Sequence, residues 1–326
     1  MRILVTGGAG YIGSIAAEAL VRAGHKVVVL DNLWRGHAAA VPREARLIRC
    51  DLRDEDGIRE AVSTARPDAV LHFAAATLVS ESVNDPEFYF RNNLGGMLNL
   101  LTAMRSIDCR RIVFSSSAAV YGDPSTLPVS EEAVPNPVNP YGQTKLMGER
   151  LLEAFETAYG LQYAALRYFN VAGASESRGE DHDPETHVIP VALNVLRDSK
   201  QAFSIYGTDY PTGDGTAIRD YVHVEDLVEA HLLALDNVDQ RLGAINLGTK
   251  SGFSVKEIVD GIEQTTGKTL PVTLGPRRAG DPPALIADST RARQRLGWEP
   301  RRSTLPQMIG SAWEWMQSHP SGYEKD

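Results

Sequence analysis

A glycine-rich segment near the start of the chain constrains the fold more than any other feature. Residues 6–13 read TGGAGYIG and lie between an aliphatic run at 3–5 and a segment at 11–22 that has one apolar helical face. Glycines between a strand and a helix permit a tight turn and let the backbone approach a pyrophosphate, which the helix N-terminus can bind. The segment therefore predicts a β-α-β unit that holds a dinucleotide.

A carboxylate at the end of the second predicted strand sharpens this interpretation. Asp31 follows the apolar run at 27–30, 18 residues after Gly13. At this position a carboxylate can bind the ribose hydroxyls of adenosine, and its charge repels a 2′-phosphate. The sequence therefore favours NAD over NADP as the cofactor, although Arg35 nearby leaves that preference open.

The first half of the chain alternates strand-like and helix-like segments. Apolar runs at 69–73 and 111–114 repeat the first pattern, and helices are predicted at about 86–104 and 141–158. Continuous apolar strands that alternate with helices are typical of a parallel sheet covered on both faces. The sequence thus predicts an α/β fold with a Rossmann-type doubly wound parallel sheet.

The character of the sequence changes after about residue 170. Residues 173–187 are polar and acidic, and residues 207–216 are rich in Gly, Pro, Thr and Asp, a composition common in binding loops. We therefore expect an NAD-binding Rossmann domain over 1–170 and a smaller mixed α/β substrate domain over 171–326. A strand-then-helix pattern near 219–240 is expected to return to the first domain.

A tyrosine and a lysine four positions apart supply the chemistry. Tyr141 and Lys145 share one face of their predicted helix, and Ser117 ends a serine triplet that follows a predicted strand. Ligands of open α/β sheets bind at the carboxyl ends of strands. A phenol is a poor base near neutral pH, but a nearby ammonium lowers its pKa by favouring the phenolate. The arrangement predicts an enzyme that oxidises and reduces a hydroxyl group.

Composition limits the alternatives. The 326 residues carry a net charge of −9 and are 43% hydrophobic, which is typical of a globular protein and argues against a nucleic-acid surface. No apolar run approaches the ~20 residues of a membrane helix, and there is no signal-peptide pattern, so a cytoplasmic protein is expected. Cys50 and Cys109 are expected to pack as small apolar residues without a disulfide.

Several polar residues leave alternatives open. Asn92 and Asn93 either cap a predicted helix or serve the site, and Arg219 and Arg278 are either surface charges or diphosphate ligands. Guanidinium groups favour the second interpretation because they bind phosphate oxygens in pairs. Residues 180–187 superficially resemble metal ligands, but they lack regular ligand spacing, so the sequence predicts no metal.

The motifs together resemble those of the extended short-chain dehydrogenase/reductase family and, within it, the UDP-hexose 4-epimerases. The resemblance covers nearly the whole chain, and its most specific motifs are YGTDYPT at 206–212, DGT at 214–216, RDYVHV at 219–224 and RRAGD at 277–281. It implies that tightly bound NAD transiently oxidises C4 of a UDP-hexose, that the 4-keto sugar rotates, and that re-reduction follows. It also implies a homodimer formed through helices beside the sheet.

The resemblance also implies roles for individual residues. Tyr141 would act as the base at the 4-hydroxyl, Lys145 would bind the nicotinamide ribose and lower the pKa of the tyrosine, and Ser117 would bind the 4-oxygen. Further cofactor contacts would be Gly7, Gly10, Tyr11, Ile12, Gly13, Asp31, Asn32, Asp51, Leu52, Phe73, Ala74, Ala75, Asn92, Ser115 and Tyr168. Further substrate contacts would be Asn170, His187, Val188, Ser204, Ile205, Tyr206, Arg219, Arg278, Asp281 and Leu285.

Three residues depart from the family pattern. Thr77 lies where some members have a lysine, Ala119 where a threonine is common, and Leu285 where a tyrosine restricts some epimerases to glucose and galactose. Leu285 keeps UDP-GlcNAc and UDP-GalNAc open as substrates, and UDP-xylose with UDP-arabinose is a further alternative. A sugar-nucleotide dehydratase is disfavoured because alanines follow Ser117 in place of an Asp-Glu pair. A non-catalytic nucleotide sensor of the same fold is the remaining alternative.

Overall fold

A parallel sheet forms the centre of the molecule. The computed structural model describes residues 1–198, 202–278 and 281–324. Its strands are β1 (Arg2–Thr6), β2 (Lys26–Asp31), β3 (Arg46–Arg49), β4 (Ala69–His72), β5 (Arg111–Ser115), β6 (Gln162–Tyr168), β7 (Asn170–Ala172), β8 (Phe203–Tyr206), β9 (Ile218–Arg219), β10 (Tyr221–His223), β11 (Gly243–Leu247), β12 (Phe253–Ser254), β13 (Val272–Gly275) and β14 (Ala284–Leu285). Seven of these described strands pair in parallel in the order β11-β6-β5-β4-β1-β2-β3. The predicted α/β fold is confirmed, and the strand order reverses between β1 and β4, where such sheets bind ligands.

Helices cover both faces of this sheet. The α-helices, some of which belong to the smaller layer described below, are α1 (Tyr11–Arg22), α2 (Glu55–Ala65), α3 (Val79–Asn84), α4 (Pro86–Tyr89), α5 (Gly96–Ser106), α6 (Pro140–Tyr159), α7 (Val188–Arg197), α8 (Val224–Asp236), α9 (Val255–Thr266), α10 (Thr290–Leu296) and α11 (Leu305–Ser318). Successive side chains of a strand point to opposite faces. Val5 of β1 accordingly packs in one core with Leu227 of α8, and Leu4 packs in another with Leu100 of α5. Burial on both faces explains the continuous apolar runs in the sequence.

The segment predicted as one helix over 86–104 is divided in the structure. A π-helical stretch, Phe90–Gly95, separates α4 from α5. The cap of α4 is Asp85, whose carboxylate accepts a hydrogen bond from the backbone N of Phe88 at 3.1 Å. Asn92 and Asn93 lie inside the π-helical stretch, so the alternative that they cap a helix is wrong.

The second half of the chain divides between the large sheet and a smaller layer. β11 extends the large sheet beside β6, and α8 packs in the same core as α1. Side chains of α7, α9 and α11 form a separate core with Ile205 of β8, which pairs with β13. β9 pairs antiparallel with β12 and parallel with β14, so this layer is mixed α/β. The domain boundary at residue 170 stays a prediction. Among the described residues, no helix is both long and apolar enough to cross a bilayer.

Candidate active site

The glycine-rich loop connects β1 to α1 where the strand order reverses. Gly7 has a φ of +71°, and a Cβ there would lie 2.5 Å from the backbone N of Ala74. A Cβ on Gly13 would lie 2.1 Å from the carbonyl O of Gly7. Glycine at position 7 therefore lets the loop pass this close to the end of β4, and glycine at position 13 lets α1 pack this close to the loop. The free N–H groups in the first turn of α1 suit a pyrophosphate at this point.

Asp31 lies at the end of β2, next to that loop. Its carboxylate accepts hydrogen bonds from the backbone N of Ala9 at 3.0 Å and of Leu33 at 2.9 Å. Burial raises the pKa of Asp31, and these backbone hydrogen bonds oppose that rise. The carboxylate is thus fixed in orientation at the place where an adenosine ribose would lie, which fits a dinucleotide.

One cavity of about 470 Å³ extends from the glycine-rich loop to loops of the second half. It brings together predicted cofactor, catalytic and substrate residues from both halves of the chain. The predicted residues that line it are Gly7, Gly10, Tyr11, Ile12, Gly13, Asp31, Asn32, Leu52, Phe73, Ala74, Ala75, Asn92, Ser117, Tyr141, Tyr168, Asn170, His187, Arg219 and Leu285. The glycine-rich loop, Tyr141 and Arg219 therefore line one cavity.

The other predicted cofactor residues lie beside this cavity. Ser115 and Lys145 are buried between β5 and α6, next to Tyr141. Asp51 lines a neighbouring cavity of about 930 Å³, where its carboxylate binds Arg53 at 2.7 Å and the side chain of Asn32 at 2.9 Å. Its contact with a cofactor thus stays a prediction.

The start of α6 fixes the positions of the reacting side chains. Asn139 caps the helix by accepting a hydrogen bond from the backbone N of Gly142 at 2.8 Å, and Pro140 occupies the first turn. The helix ends at Gly160, which has a φ of +68°. The predicted segment 141–158 is therefore one helix with strong signals at both ends.

Tyr141, Lys145 and Ser117 form a cluster where α6 meets the end of β5. The Nζ of Lys145 donates to the carbonyl O of Ser115 at 2.7 Å and lies 5.8 Å from the centroid of the Tyr141 ring. The hydroxyl of Ser117 lies near the phenol of Tyr141 and acts to lower its pKa. The fold thus places an ammonium and a hydroxyl beside one phenol, within reach of the cofactor loop through the shared cavity.

Burial controls the proton affinities in this cluster. It raises the pKa of Tyr141 above its ordinary value, an effect that Tyr168 increases and the hydrogen bond from Ser117 opposes. Burial also lowers the pKa of Lys145 to about 7, which Glu149 opposes. Burial therefore outweighs the lowering of the Tyr141 pKa that was expected from Lys145.

A buried ion pair that sequence analysis did not predict supports the cluster. Glu149 lies on α6, four residues after Lys145, and its carboxylate binds the guanidinium of Arg167 on β6 at 2.5 and 2.9 Å. The hydroxyl of Ser116 donates to Glu149 at 2.5 Å, and Arg167 donates to the hydroxyl of Tyr121 at 2.8 Å. The spacing of four residues between Lys145 and Glu149 on one helix was a signal in the sequence that Glu149 lies near the cluster. No such signal in the sequence identified Arg167 on β6 as its partner.

The substrate side of the cavity contains an arginine with partners from distant segments. Arg219 of β9 pairs in register with Leu285 of β14, and both line the cavity. Its guanidinium binds the carboxylate of Asp281 and donates to the carbonyl O of Pro282 at 2.8 Å. The side chain of Asn170 donates to the backbone carbonyl that precedes β10, at 3.0 Å. Arg219 is therefore held at the cavity wall by an ion pair and a main-chain carbonyl.

The remaining predicted substrate residues lie outside the cavity lining. The guanidinium of Arg278 lies 4.3 Å from the ring centroid of the exposed Tyr206, and Ser204 precedes that tyrosine by two positions on β8. Ile205 and Val188 pack in the smaller core. These side chains lie outside the lining, although the carbonyl O of Arg278 accepts a hydrogen bond at 3.3 Å from the backbone N of Asp281, the partner of Arg219. The third and fourth residues of the RRAGD motif, Ala279 and Gly280, lie outside the described residues.

Four side chains converge in the loop between β7 and α7, although their sequence spacing is irregular. One potential ligand atom from each of Glu180, His182, Glu185 and His187 lies within 4.8 Å of the others. The Nδ1 of His187 is 2.6 Å from Glu180 and 2.9 Å from Glu185. The fold thus places four potential metal ligands close together in a segment for which the sequence predicted no metal.

Sequence analysis also missed part of the cavity lining. These residues include Trp34, Arg35, Gly36, Leu78, Val79, Phe169, Asp183 and Pro184, of which Arg35 had been considered for its effect on cofactor preference alone. The first three follow Asp31 closely, and the loop after a second strand borders the adenosine in such folds, which was an available signal. The others had no local pattern that separates them from ordinary loop or core residues.

Comparisons with known proteins agree with this site. A model of the NAD dependent epimerase/dehydratase family matches residues 3–248. The UDP-glucose 4-epimerase of Lacticaseibacillus casei is 49% identical over 327 residues, which cover 99% of both chains. The crystal structure of the Brucella ovis UDP-glucose 4-epimerase in complex with NAD has a TM-score of 0.93 at 47% identity, over 96% of this chain and 97% of that one.

A second solved structure extends the likeness to a nucleotide complex. The UDP-glucose 4-epimerase of Bifidobacterium longum, in complex with NAD+ and UDP, has a TM-score of 0.93 at 36% identity and covers 99% of this chain and 100% of that one. The matches extend over the cofactor loop, the Tyr141 cluster and the Arg219 side of the cavity alike. The chain belongs to the NAD dependent epimerase/dehydratase family.

Proposed function

We propose that this chain catalyses the reversible C4 epimerisation of a UDP-hexose, interconverting UDP-glucose and UDP-galactose with tightly bound NAD. One observation carries the proposal: Tyr141 and Ser117 line the same cavity as the glycine-rich loop, with Lys145 packed against the phenol. Relatives similar over their full length are UDP-glucose 4-epimerases, which supports the same reaction here.

The first half of the site would hold the cofactor. Bound NAD would supply the acceptor and donor of a hydride at C4 of the sugar. The loop containing Gly7 and Gly13 would bind its pyrophosphate at the N-terminus of α1, and Asp31 would bind the adenosine ribose. The glycine requirement at two positions and the fixed Asp31 carboxylate both fit this group.

Tyr141 would act as the base that removes the proton of the 4-hydroxyl. Ser117 would bind the 4-oxygen, because its hydroxyl lies beside the phenol in the same cavity. Lys145 would bind the nicotinamide ribose and stabilise the phenolate. A proton could then move between the sugar and Tyr141 in either direction, as a reversible reaction requires.

The second half of the site would bind the nucleotide. Arg219, Asn170 and Arg278 would bind the diphosphate, since guanidinium groups match phosphate oxygens. Remote binding of this kind lets the sugar present both faces at C4 without release of the molecule. Leu285 lines the cavity beside Arg219 and would contact the hexose.

The expected homodimer and the cytoplasmic location stay predictions. Leu98 on α5 and Met147 on α6 are exposed apolar side chains on the two helices through which the dimer is expected to form, which supports that interface. A Leu98→Glu/Met147→Glu variant should be monomeric by light scattering while the unchanged chain is dimeric. A monomeric wild-type chain would remove this part of the proposal.

The experiment that tests the proposed function is incubation of the purified protein with UDP-galactose and no added NAD. We expect UDP-glucose to form, as detected by chromatography, and NAD to be released on denaturation. The Tyr141→Phe variant should retain the cofactor without converting the sugar. No conversion by wild-type protein that demonstrably holds NAD would contradict the proposal, and UDP-GalNAc and UDP-arabinose would then be tested.

A further inference from the structure

We propose that Glu180, His182, Glu185 and His187 form a zinc site in the loop that connects β7 to α7. The proposal departs from the sequence analysis, which predicted no metal because the ligand spacing is irregular. It rests on the three-dimensional convergence of four nitrogen and oxygen donors, a mixed set that suits Zn²⁺. It is independent of the proposed epimerase activity, whose chemistry needs no metal ion.

The distances among the four donors are close to those of a tetrahedral site. Zinc bonds of about 2.0–2.2 Å to nitrogen and oxygen place tetrahedral ligand atoms roughly 3.4 Å apart. The two imidazole Nδ1 atoms lie 2.6, 2.9, 3.0 and 3.8 Å from the carboxylate oxygens of Glu180 and Glu185. These values lie on both sides of the expected separation, so small side-chain rotations would place one ion at the centre.

Hydrogen bonds satisfy this arrangement only in part: Glu185 accepts from the backbone N of Thr186 and of His187, both at 2.7 Å, but the imidazole nitrogens are shared between carboxylates. A ring nitrogen carries at most one hydrogen. The Nδ1 of His187 nevertheless faces oxygens of both Glu180 and Glu185, and the Nδ1 of His182 faces the same two carboxylates. One hydrogen cannot point straight at two oxygens, whereas a divalent cation accepts lone pairs from all four atoms at once.

Burial makes a compensating cation favourable. The side chains of Glu180 and Glu185 are only 6% and 12% exposed, so water cannot solvate their negative charges well. Neutral imidazoles and one Zn²⁺ would give the cluster a net charge of zero. Buried carboxylates that are paired or bound to a metal avoid the desolvation penalty of isolated charges.

The position of the site indicates a structural role. Four protein ligands leave no open coordination position for a reacting water, which is typical of structural zinc. The loop also lines the cavity through Glu180, His182 and His187, and it contacts the first half through a hydrogen bond from His37 to the carbonyl O of Asp181 at 2.9 Å. Zinc would hold the loop against the cavity and leave Nε2 of His187 free to donate into it.

The test measures zinc directly in the full-length protein. Wild-type protein, stripped with a chelator and then titrated with Zn²⁺, should retain about one zinc per chain after desalting. A His182→Ala/Glu185→Ala variant should bind Zn²⁺ about 10⁴-fold more weakly, at roughly 100-fold for each ligand removed. Zn²⁺ should raise the thermal unfolding midpoint of the wild-type protein and not that of the variant.

A matched histidine provides the control. His37→Ala removes an imidazole that contacts the same loop from outside the cluster, and this variant should bind Zn²⁺ as tightly as the wild type does. If the double variant fails to fold, Glu185→Gln keeps the side-chain shape and should still weaken zinc binding about 100-fold. Equal zinc content in the wild type and the ligand variants, or no retained zinc in the wild type, would overturn the proposal.

Discussion

The two sides of the cavity hold their polar groups in different ways. On the cofactor side, the ammonium of Lys145 is buried and binds a backbone carbonyl, and the carboxylate of Asp31 binds two backbone N–H groups. On the substrate side, Arg219 binds the partly exposed carboxylate of Asp281, and Arg278 lies on the exposed ring of Tyr206. The cofactor-side groups are buried and bound by the main chain, whereas Arg219 combines main-chain carbonyls with a partly exposed carboxylate, and Arg278 contacts an exposed ring.

This difference corresponds to the two demands of epimerisation. Proton transfer requires the reacting groups to be fixed in advance, because misplacement by about 1 Å greatly reduces the rate. The sugar must present both faces while the nucleotide stays bound, which favours adjustable contacts at the diphosphate. We therefore expect changes on the cofactor side to reduce kcat and changes on the substrate side to weaken nucleotide binding.

Removal of the phenol should have the largest effect. Tyr141→Phe deletes the proposed base without changing the shape of the cluster, so kcat should fall about 10³–10⁴-fold. UDP binding, measured by calorimetry, and NAD content should be unchanged. Tyr159→Phe, at an exposed position of the same helix, is the control and should retain full activity. A Tyr141→Phe variant with more than a tenth of the wild-type rate would show that the phenol is not the base.

Breaking the buried ion pair should have the next largest effect. Glu149→Ala leaves the guanidinium of Arg167 buried without its carboxylate, which should lower the free energy of unfolding by about 3–5 kcal/mol. We expect kcat to fall as well, because Glu149 and Lys145 share one face of α6, whereas the affinity for UDP should not change. Chemical denaturation measures the free energy of unfolding, an activity assay measures kcat, and calorimetry measures the affinity for UDP.

A second glutamate of α6 supplies the control for this variant. Glu153 pairs with Arg150 at the surface, where both side chains are about half exposed. Glu153→Ala should therefore change the free energy of unfolding by about 1 kcal/mol or less. Equal stability of the Glu149→Ala and Glu153→Ala variants would show that the buried pair does not hold the cofactor side together.

The buried pair also shows how far the sequence alone could lead. The doubly wound sheet was predictable because its signals are local: apolar strand runs, a helical period, and turn glycines such as Gly7 and Gly13. Lys145 was placed beside Tyr141 by helical spacing in the same way. Arg167 was not predictable as a partner of Glu149, because only the packing of β6 against α6 brings them together.

The substrate side was harder to predict for the same physical reason. Arg219 and Asp281 meet across 62 residues, through the pairing of β9 with β14. The cluster of Glu180 and His187 follows an irregular loop path rather than a repeating spacing. The resemblance to a family suggested residues here, but their contacts depend on loop conformation, which no local pattern specifies.

The Arg219→Ala variant tests whether the substrate side of the cavity binds the diphosphate. Arg219→Ala removes charge-assisted hydrogen bonds to a diphosphate, so the dissociation constant of UDP should rise about 10–100-fold. NAD content should be unchanged. Arg277 pairs with Asp209 at an exposed position and is the control, so Arg277→Ala should change UDP affinity less than about threefold. Equal effects of the two variants would indicate long-range charge rather than direct contact.

The smallest predicted effect concerns which sugar the substrate side of the cavity accepts. Leu285→Tyr adds bulk at the cavity wall beside Arg219, where an N-acetyl group would need more space than a hydroxyl. The ratio of kcat/KM for UDP-GlcNAc to that for UDP-glucose should therefore fall about 10-fold, within the range that steric selection in a pocket can give. Leu285→Met conserves the volume and should leave the ratio unchanged. If Leu285→Tyr leaves UDP-GlcNAc turnover as it is, sugar choice depends on other parts of the wall, and the adjustable character of the substrate side does not extend to the hexose.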